Sequence, residues 1–446
     1  MTGKIAILGA GESGTGAAVL AKKKGFRVWV SDSGKITEKY KNVLSHFEIA
    51  FEEGGHTEEH ILGSDEVIIS PGIPLTVPLV RKIKAKLIPV ISEIEFAARY
   101  TQAKKICITG ANGKTTTTLL IYHMLKDAGV NVGLAGNVGE SFAMQVATHE
   151  YDWYVLEISS FQLDSMFDFK AEIAILTNIT PDHMDRYEYK FENYTDSKFR
   201  IIRNQTREDA FIYCLDDEVS AAEVIKRKPE ARIYTTSCQA GNTLANAYCF
   251  ENKIHINVNN NPFTMTLEEL ALQGKHNVYN SMAASIAAKL VDIRKENIRQ
   301  SLSDFENVEH RLEFVARIHG IDFINDSKAT NVNSAWYALE TVETPIIWIA
   351  GGIDKGNDYH KLEELVRNKV KAIICLGTDN TKIIETFSDK VEAIYETQSA
   401  EQAVLTAYTI GKKGDTVLLS PACASFDLFE NYEERGNKFK QAVRDL

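Results

Sequence analysis

A short glycine-rich loop carries the strongest chemical signal in this chain. Residues 109–117 read Thr-Gly-Ala-Asn-Gly-Lys-Thr-Thr-Thr, between an apolar run at 104–108 and a segment with helical spacing at 119–128. A strand-to-helix turn directs backbone N–H groups and the positive end of a helix dipole at one point. There Lys114 can reach terminal phosphates and Thr115 can hold a magnesium ion. The loop predicts an ATP or GTP site, although it is shorter than the general G-x-x-x-x-G-K-[ST] pattern.

A second glycine turn follows the first apolar run. Residues 9–14 read Gly-Ala-Gly-Glu-Ser-Gly, and Asp32 ends the next strand-like run. This matches the dinucleotide fingerprint, in which glycines approach a pyrophosphate and an acid holds a ribose. The same geometry serves NAD(P), any other nucleotide diphosphate, or a purely structural turn. Residues 70–74, Ser-Pro-Gly-Ile-Pro, either line the same crevice or form a rigid turn.

Metal-binding side chains follow two later strands. Glu157 ends the apolar run 153–156, and Asp182 and His183 follow the run 172–177. In open α/β sheets, ligands bind at the carboxyl ends of the strands. A carboxylate and an imidazole there can complete magnesium coordination around triphosphate oxygens, whereas a lone histidine is more often merely exposed. For Lys198, the pattern alone predicts only a solvated helix face.

Three polar loops follow strand-like runs near the carboxyl end of the chain. They are residues 325–331, Asn-Asp-Ser-Lys-Ala-Thr-Asn, and the loops at 351–356 and 420–426. Acids, lysines and hydroxyls at strand ends suit an anionic substrate, although Ser or Asn could instead cap the helix predicted over 332–340. Three such loops on one rim indicate a site.

Alternating strand and helix patterns predict an α/β protein with three domains. The expected domains are a Rossmann-like domain over 1–92, a phosphate-loop ATPase domain over 93–297, and a second Rossmann-like domain over 298–446. Predicted strands include 87–90, and the polar stretch 294–297 is read as a linker.

Composition limits the function classes. The chain has 446 residues, 44% of them hydrophobic, and a formal net charge of −11, which argues against general nucleic-acid binding. Six cysteines without C-x-x-C spacing favour reduced thiols and a cytoplasmic location. The sequence enters a strand directly and holds no apolar run of membrane-spanning length, so neither a signal peptide nor a membrane anchor is expected.

Taken together, these segments resemble the Mur ligase family across all three domains. The phosphate loop is shared with sister ligases and folylpolyglutamate synthases, whereas residues 326–331 and 420–425 resemble the members that add D-glutamate. The resemblance implies ATP-driven amide-bond formation in peptidoglycan precursor synthesis. The carboxylate of UDP-N-acetylmuramoyl-L-alanine would attack the γ-phosphate, and the amine of D-glutamate would displace phosphate from the acyl phosphate. A monomer is expected.

The resemblance also assigns residues, by matching motifs. For ATP it implies Gly110, Asn112, Gly113, Lys114, Thr115, Thr116, Asn277, Asn280, Arg311 and Asp326. Two magnesium ions are implied, one on Thr115 and Glu157, the other on His183 and an N-carboxylated Lys198. The UDP-sugar would meet Glu12, Ser13, Asp32, Ser33, Ser70, Gly72, Asn137 and Gln162. D-glutamate would meet Thr330, Lys355, Ser425, Phe426 and Tyr432, with Lys328 nearby, and the catalytic groups would be Lys114, His183, Lys198 and Lys328.

Three other interpretations compete with this one. A sister Mur ligase or a folylpolyglutamate synthase would share the core, although the intact first domain and residues 326–331 argue against a folate enzyme. An NAD-dependent oxidoreductase would explain residues 9–14 but not Lys114 or the third domain. A non-catalytic nucleotide-binding regulator would be expected to lack Thr115, Glu157 and His183, which are all present.

Overall fold

The computed structural model describes residues 3–239, 242–305 and 309–446. It contains three sheets flanked by helices, which confirms the predicted α/β class. Contacts group the chain into two compact units, Met1–Ile179 with Lys190–Phe305, and Thr180–Tyr189 with Glu306–Leu446. The first unit holds two of the sheets and the second unit holds the third.

The first sheet has five parallel strands in the order β3-β2-β1-β4-β5. Its strands are β1 (Lys4–Leu8), β2 (Arg27–Asp32), β3 (Ala50–Glu53), β4 (Glu66–Ile69) and β5 (Val90–Ser92). Its helices are α1 (Glu12–Lys23), α2 (Glu38–His46), α3 (Glu58–Leu62), α4 (Pro78–Ala85) and α5 (Glu93–Ala98). The strand order reverses between β1 and β4, so the loops after these strands flank a ligand-binding crevice.

The second sheet has nine strands in the order β14-β13-β12-β11-β10-β9-β6-β8-β7. The pairs β12–β13 and β13–β14 are antiparallel, whereas β11 and β12 are parallel, as are the remaining pairs. The strands are β6 (Lys104–Thr109), β7 (Val132–Gly136), β8 (Trp153–Glu157), β9 (Ile173–Leu176), β10 (Ala210–Cys214), β11 (Arg232–Ser237), β12 (Ala247–Phe250), β13 (Lys253–Ile256) and β14 (Phe263–Thr266). The helices are α6 (Lys114–Asp127), α7 (Phe142–Thr148), α8 (Ser160–Leu163), α9 (Phe191–Phe199), α10 (Glu218–Arg227), α11 (Lys275–Leu290) and α12 (Lys295–Asp304), with 3-10 turns at Arg200–Ile202 and Leu267–Glu269. The central strand β6 is apolar and buried, and it leads into the phosphate loop.

The third sheet, in the second unit, has the order β15-β16-β20-β17-β18-β19, with β15 antiparallel to β16. Its strands are β15 (Glu313–Ile318), β16 (Ile321–Asn325), β17 (Ile346–Ala350), β18 (Val370–Leu376), β19 (Ala393–Thr397) and β20 (Thr416–Leu419). Its helices are α13 (Val332–Thr341), α14 (Glu363–Lys369), α15 (Thr381–Phe387), α16 (Ala400–Ile410) and α17 (Tyr432–Arg444), with 3-10 turns at Met184–Tyr187 and Tyr359–Leu362. Because β16, β20 and β17 are neighbours, the loops that follow them meet at one edge.

Two local predictions were wrong. The strand expected over 87–90 forms instead at Val90–Ser92, because Leu87 adopts a left-handed turn (φ +59°) and is 90% exposed. The stretch 294–297 is not a linker but the start of α12, whose Ile298 and Leu302 are buried. The predicted domain border at 297 therefore falls inside a helix.

None of the six cysteines forms a disulfide in the structure; Cys107, Cys375 and Cys423 are buried and the other three are half-buried, with the sulfurs of Cys238 and Cys249 2.7 Å apart. Among the helices of residues 3–239, 242–305 and 309–446, none combines the length and apolarity that a membrane crossing requires.

A buried carboxyl, Glu93, joins the first two sheets. Its Oε1 accepts hydrogen bonds from Ser141 Oγ (2.7 Å) and from the backbone N–H of Ala143 (2.5 Å), just where β5 passes into α5. Burial raises the pKa of Glu93 to about 7 despite these two donors. Two residues on, the buried Glu95 accepts three backbone N–H groups, those of residues 167–169. The Glu93 carboxyl therefore accepts two hydrogen bonds, on one oxygen, whereas the Glu95 carboxyl accepts three backbone hydrogen bonds.

Glu93→Gln should stabilise the protein at pH 8. The folded pKa lies above the unfolded value near 4.5, so the folded state binds a proton more tightly and loses stability as pH rises from about 4.5 to 7. An uncharged amide avoids this penalty, and a gain of about 2 kcal/mol in unfolding free energy is expected at pH 8, with little gain at pH 5. Urea unfolding at both pH values measures it. As a matched control, Glu95→Gln should destabilise at both, and an equal loss for Glu93→Gln at both would contradict the prediction.

Candidate nucleotide and substrate site

The phosphate loop requires its two glycines. Gly110 and Gly113 have φ of +145° and +82°, which disfavour any side chain. A Cβ on Gly110 would lie 1.9 Å from Thr177 Oγ1, and one on Gly113 would lie 2.4 Å from Asn280 Oδ1. The backbone thus approaches neighbouring side chains too closely for any other residue, and α6 begins directly at Lys114.

The residues that follow β9 hold this loop in shape. The backbone N–H groups of Ala111 and Asn112 donate to the carbonyl and side-chain oxygens of Asn178, at 2.9 and 3.0 Å. Thr177 Oγ1 donates to the carbonyl of Asn112 at 2.6 Å. Thr177 and Asn178 were not among the residues predicted from the sequence, although their place at the end of a predicted strand was a usable signal. Thr177 and Asn178 therefore hold the loop in this shape.

Two lysines converge on the loop. Lys114 Nζ donates to the carbonyls of Gly110 and Ala111, both at 2.8 Å, and Lys198 Nζ donates to the same Gly110 carbonyl at 2.8 Å. Lys198 is 2% exposed, and its ammonium lies 5.2 Å from the ring centre of Tyr194. The solvated helix face expected from the local pattern was wrong, because α9 packs this side of its surface inward. Two cations at one carbonyl make the loop attractive to an anion.

Side chains with oxygen atoms that could bind a metal ion lie in the same unit. Glu157, at the end of β8, is 2% exposed, and its Oε1 accepts from Asn137 Nδ2 at 2.8 Å. Thr115 and Thr116 are buried in the first turn of α6. A carboxylate and hydroxyls are the hard oxygen donors that magnesium prefers. Gln162 caps α8, accepting from the backbone N–H of Ser159 at 2.8 Å.

Two asparagines at the start of α11 make hydrogen bonds behind the phosphate loop, one of them to α6. Asn280 Oδ1 accepts from Thr117 Oγ1 (3.2 Å), its Nδ2 donates to Asn277 Oδ1 (3.1 Å), and Asn277 Nδ2 donates to the carbonyl of Gln273 (2.9 Å). Both amides are buried. They link α11 to the first turns of α6.

An open cleft of about 370 Å³ lies at the switch point of the first sheet. The cleft is lined by all six residues predicted for the first domain, Glu12, Ser13, Asp32, Ser33, Ser70 and Gly72. His56, which was not predicted, also lines it. The turn after β1, the end of β2 and the loop after β4 thus surround one space.

The two acids of this cleft are already oriented. Asp32 accepts the backbone N–H of Ala10 on Oδ2 and that of Gly34 on Oδ1, both at 2.8 Å. Glu12 is bound to α2, where Tyr40 OH donates to it at 3.0 Å. Burial and this carboxylate raise the pKa of Tyr40 to about 12. The Glu12 carboxylate is therefore held by a hydrogen bond to α2.

In the second unit, Asp326 directly follows β16 and lies beside the loop after β20. Ser420 Oγ donates to its Oδ2 at 2.8 Å, and the backbone N–H of Leu312 donates to its Oδ1 at 3.3 Å. Burial raises the pKa of Asp326 to about 7, while Ser420 and the nearby Arg311 oppose that shift. The predicted residues Arg311 and Asp326 therefore share one electrostatic environment.

The predicted D-glutamate residues lie on the loops after β16, β17 and β20 and at the start of α17. Lys328 Nζ lies 5.2 Å from the ring centre of Tyr432. Thr330 and Lys355 are half-buried, Ser425 is buried, and Phe426 is 67% exposed. Adjacent strands thus bring these loops to one edge of the third sheet.

A buried arginine, missed from the sequence, ties the three loops together. Arg435, 1% exposed on α17, donates through Nη2 to the carbonyl of Ser327 (2.8 Å) and through Nη1 to the carbonyls of Cys423 (3.3 Å) and Gly351 (3.5 Å). Its Nε also donates to Ser327 Oγ at 3.0 Å. Burial lowers its pKa to about 10, which leaves it charged at neutral pH.

His183 lies in the short segment of the second unit before its 3-10 turn. It has a left-handed backbone (φ +53°), and its backbone N–H donates to Asp182 Oδ1 at 2.9 Å. Asp182 Oδ2 lies 3.5 Å from the imidazole Nε2 and also accepts from Asn331 Nδ2 at 3.4 Å. The segment is thereby attached to the start of α13.

These features define a three-domain α/β protein with a phosphate loop. Three family models match it: the MurD N-terminal domain over residues 4–77, the Mur ligase middle domain over 108–288, and the Mur ligase glutamate ligase domain over 310–423. A relative from Bacteroides thetaiotaomicron is 57% identical over 444 residues, covering 99% of this chain and 100% of its own. One from Cytophaga hutchinsonii is 51% identical over 449 residues, covering 100% of both chains. The chain belongs to the Mur ligase family, and both relatives are named UDP-N-acetylmuramoylalanine–D-glutamate ligase.

Solved structures with low sequence identity share the fold. The UDP-N-acetylmuramate-alanine ligase MurC of Thermotoga maritima has a TM-score of 0.64 at 17% identity, covering 99% of each chain. MurF ligase of Thermotoga maritima, solved in complex with ADP, has a TM-score of 0.62 at 14% identity, covering 95% of this chain and 97% of its own.

Proposed function

We propose that this protein is an ADP-forming ligase that joins D-glutamate to UDP-N-acetylmuramoyl-L-alanine in peptidoglycan precursor synthesis. The observation that carries the proposal is the 57% identity to a relative of that name over essentially the whole length of both chains. The phosphate loop, with Lys114 and Lys198 at one carbonyl, supports use of ATP. A cytoplasmic, monomeric enzyme stays the expectation.

The reaction has two chemical steps. The alanine carboxylate attacks the γ-phosphorus of ATP, which forms an acyl phosphate and releases ADP. The amine of D-glutamate then attacks the acyl carbon, the amide bond forms, and inorganic phosphate leaves. The main barrier to the first step is repulsion between a carboxylate and a triphosphate, so positive charge at the phosphate loop is the chief contribution of the protein.

We assign the phosphates to the loop of Gly110, Asn112 and Gly113 and to Lys114, Thr115 and Thr116. The remaining ATP contacts are Asn277, Asn280, Arg311 and Asp326. Thr115 and Glu157 suit one magnesium ion, because they offer hydroxyl and carboxylate oxygens. His183 with an N-carboxylated Lys198 would hold a second, and modification would have to replace the hydrogen bonds that Lys198 donates as an amine. Bound magnesium would neutralise triphosphate charge.

The substrates are assigned to the remaining residues. The UDP group occupies the cleft at the first sheet, against Glu12, Ser13, Asp32, Ser33, Ser70 and Gly72, with Asn137 and Gln162 toward the sugar. D-glutamate meets Thr330, Lys355, Ser425, Phe426 and Tyr432, with Lys328 as a further cation. Two carboxylates on D-glutamate explain why lysines and hydroxyls are gathered at that edge.

Phosphate release from ATP tests the proposal. The purified protein is assayed with UDP-N-acetylmuramoyl-L-alanine, with and without D-glutamate, and in parallel with L-glutamate and meso-diaminopimelate. Release that requires the UDP-sugar and D-glutamate together is expected. Release with another amino acid would place the chain among the sister ligases, and no release with any pair would contradict ligase activity.

Lys355→Ala should weaken the use of D-glutamate specifically. Lys355 is half-buried in the loop after β17, and loss of a charged hydrogen bond to a carboxylate weakens binding by about 10- to 100-fold. The Michaelis constant for D-glutamate should rise by that factor while those for ATP and the UDP-sugar stay within about twofold. Lys361→Ala, which removes an exposed side chain of the 3-10 turn at Tyr359–Leu362, is the control. An unchanged Michaelis constant for D-glutamate would remove Lys355 from the pocket.

A further inference from the structure

A hydrogen-bonded chain of three side chains runs into the cleft of the first sheet. Ser31 Oγ, fully buried in β2, lies 2.7 Å from Glu52 Oε1 and 2.6 Å from His56 Nδ1. Glu52 also accepts from Trp29 Nε1 (3.1 Å) and from the backbone N–H of Thr57 (2.8 Å). Although burial opposes it, the Thr57 hydroxyl, which donates to Glu52 Oε2 at 2.5 Å, and these other donors hold the pKa of Glu52 down at about 2.

The hydrogen bonds among Glu52, Ser31 and His56 determine which ring nitrogen of His56 carries the proton. Ionised Glu52 can only accept, so the Ser31 hydroxyl donates its proton to Glu52. Ser31 Oγ must then accept from His56, which places the proton of the neutral ring on Nδ1. The other ring nitrogen, Nε2, is therefore a hydrogen-bond acceptor, and His56 lines the cleft.

The topology indicates which end of the ligand meets His56. The sheet order β3-β2-β1-β4-β5 places Asp32, Ser33 and His56 on the β2–β3 side of the glycine turn. Strand β5, on the opposite side, leads through α5 to the sheet with the phosphate loop. The reacting carboxylate must reach that loop, so the sugar and peptide extend toward β4 and β5. The nucleoside then lies over β2 and β3.

We propose that His56 binds the uridine moiety of the UDP-sugar as a hydrogen-bond acceptor, a role that rests on the proposed function. Two groups of uridine can supply the donor, the imide N3–H of the base and a ribose hydroxyl. The diphosphate cannot, since its oxygens only accept at neutral pH. Asp32 is a second acceptor in the same place, already oriented by the backbone N–H groups of Ala10 and Gly34.

Calorimetric titration with UDP at pH 8 tests the inference, in the full-length protein and in His56→Phe, which keeps a ring but removes the acceptor. Loss of one neutral hydrogen bond should weaken UDP binding about fivefold. In the steady state, the Michaelis constant for the UDP-sugar should rise similarly with kcat unchanged. His60→Ala is the control, because His60 belongs to the same segment and packs on Trp29, with ring centres 4.2 Å apart, but does not line the cleft.

Three analogues of UDP identify the donor. If the imide is recognised, the natural protein binds 3-methyl-UDP more weakly than UDP, and His56→Phe no longer distinguishes them. If a hydroxyl is recognised, the same holds for 2′-deoxy-UDP or 3′-deoxy-UDP. Unchanged UDP affinity in His56→Phe, an equal loss in His60→Ala, or full retention of every discrimination would overturn the inference. Failure of the natural protein to bind UDP would instead contradict the proposed function.

Discussion

Lys114→Ala should lower kcat for ligation by about 1,000-fold. The Lys114 ammonium lies 2.8 Å from the carbonyls of Gly110 and Ala111, and these hydrogen bonds hold its charge at the loop. Charge on the phosphates shifts as the γ-phosphoryl group transfers, and a fixed cation stabilises that state without reorganisation. Phosphate release under saturating substrates measures the effect.

The UDP cleft should not respond to this substitution. It is built by the first sheet, from residues other than those of the phosphate loop. UDP-sugar affinity, measured by calorimetry, should stay within about twofold of the natural protein. Lys126→Ala, an exposed position near the end of α6, should retain full activity. Loss of UDP-sugar binding in folded Lys114→Ala would contradict the assignment of the two sites to separate sheets.

The phosphate loop was predictable because its signal is local. Gly110, Gly113 and Lys114 stand at fixed spacing between an apolar strand and a helix, and positive φ at both glycines follows from that turn. The role of Lys198 was not predictable from the pattern, since its burial depends on how α9 packs and not on its neighbours in sequence.

The wrong linker prediction at 294–297 and the missed His56 have the same cause, contacts between residues that are distant in sequence. The stretch 294–297 is polar, yet it starts a helix because Ile298 and Leu302, further along, have a surface to pack against. His56 follows a strand that carries two acids, Glu52 and Glu53, and its hydrogen-bonded chain through Ser31 joins residues 25 positions apart. Pairings of that kind are set by strand order, which periodicity does not report.

Arg435 shows most clearly why a long-range contact escapes sequence reasoning. It stands in a largely charged stretch, 433–438, where an exposed helix face is the natural expectation. In the structure the guanidinium is buried and binds carbonyls that belong to three separate loops. A planar group with five donors can do this, whereas a lysine ammonium reaches fewer partners.

Arg435→Leu is expected to reduce kcat/KM for D-glutamate by about 100-fold, because loops released from a common donor can shift by about 1 Å. Its effects on stability should partly cancel. Leaving carbonyls of Ser327 and Cys423 without a donor costs about 1–3 kcal/mol each, but removing a cation whose pKa burial lowers to about 10 recovers part of that. Steady-state kinetics with D-glutamate as the varied substrate measures the main effect.

The pattern across substrates separates positioning from general damage. In Arg435→Leu, the Michaelis constant for the UDP-sugar should be unchanged, since its cleft belongs to the first unit. Arg435→Lys should recover part of the lost activity, because it restores the charge and at least one donor. Lys438→Ala, which removes the exposed ion pair with Glu434 on the same helix and a cation–π contact with Phe429, should behave as the natural protein. A uniform loss for every substrate, or full activity in Arg435→Leu, would show that the three loops hold their positions without this arginine.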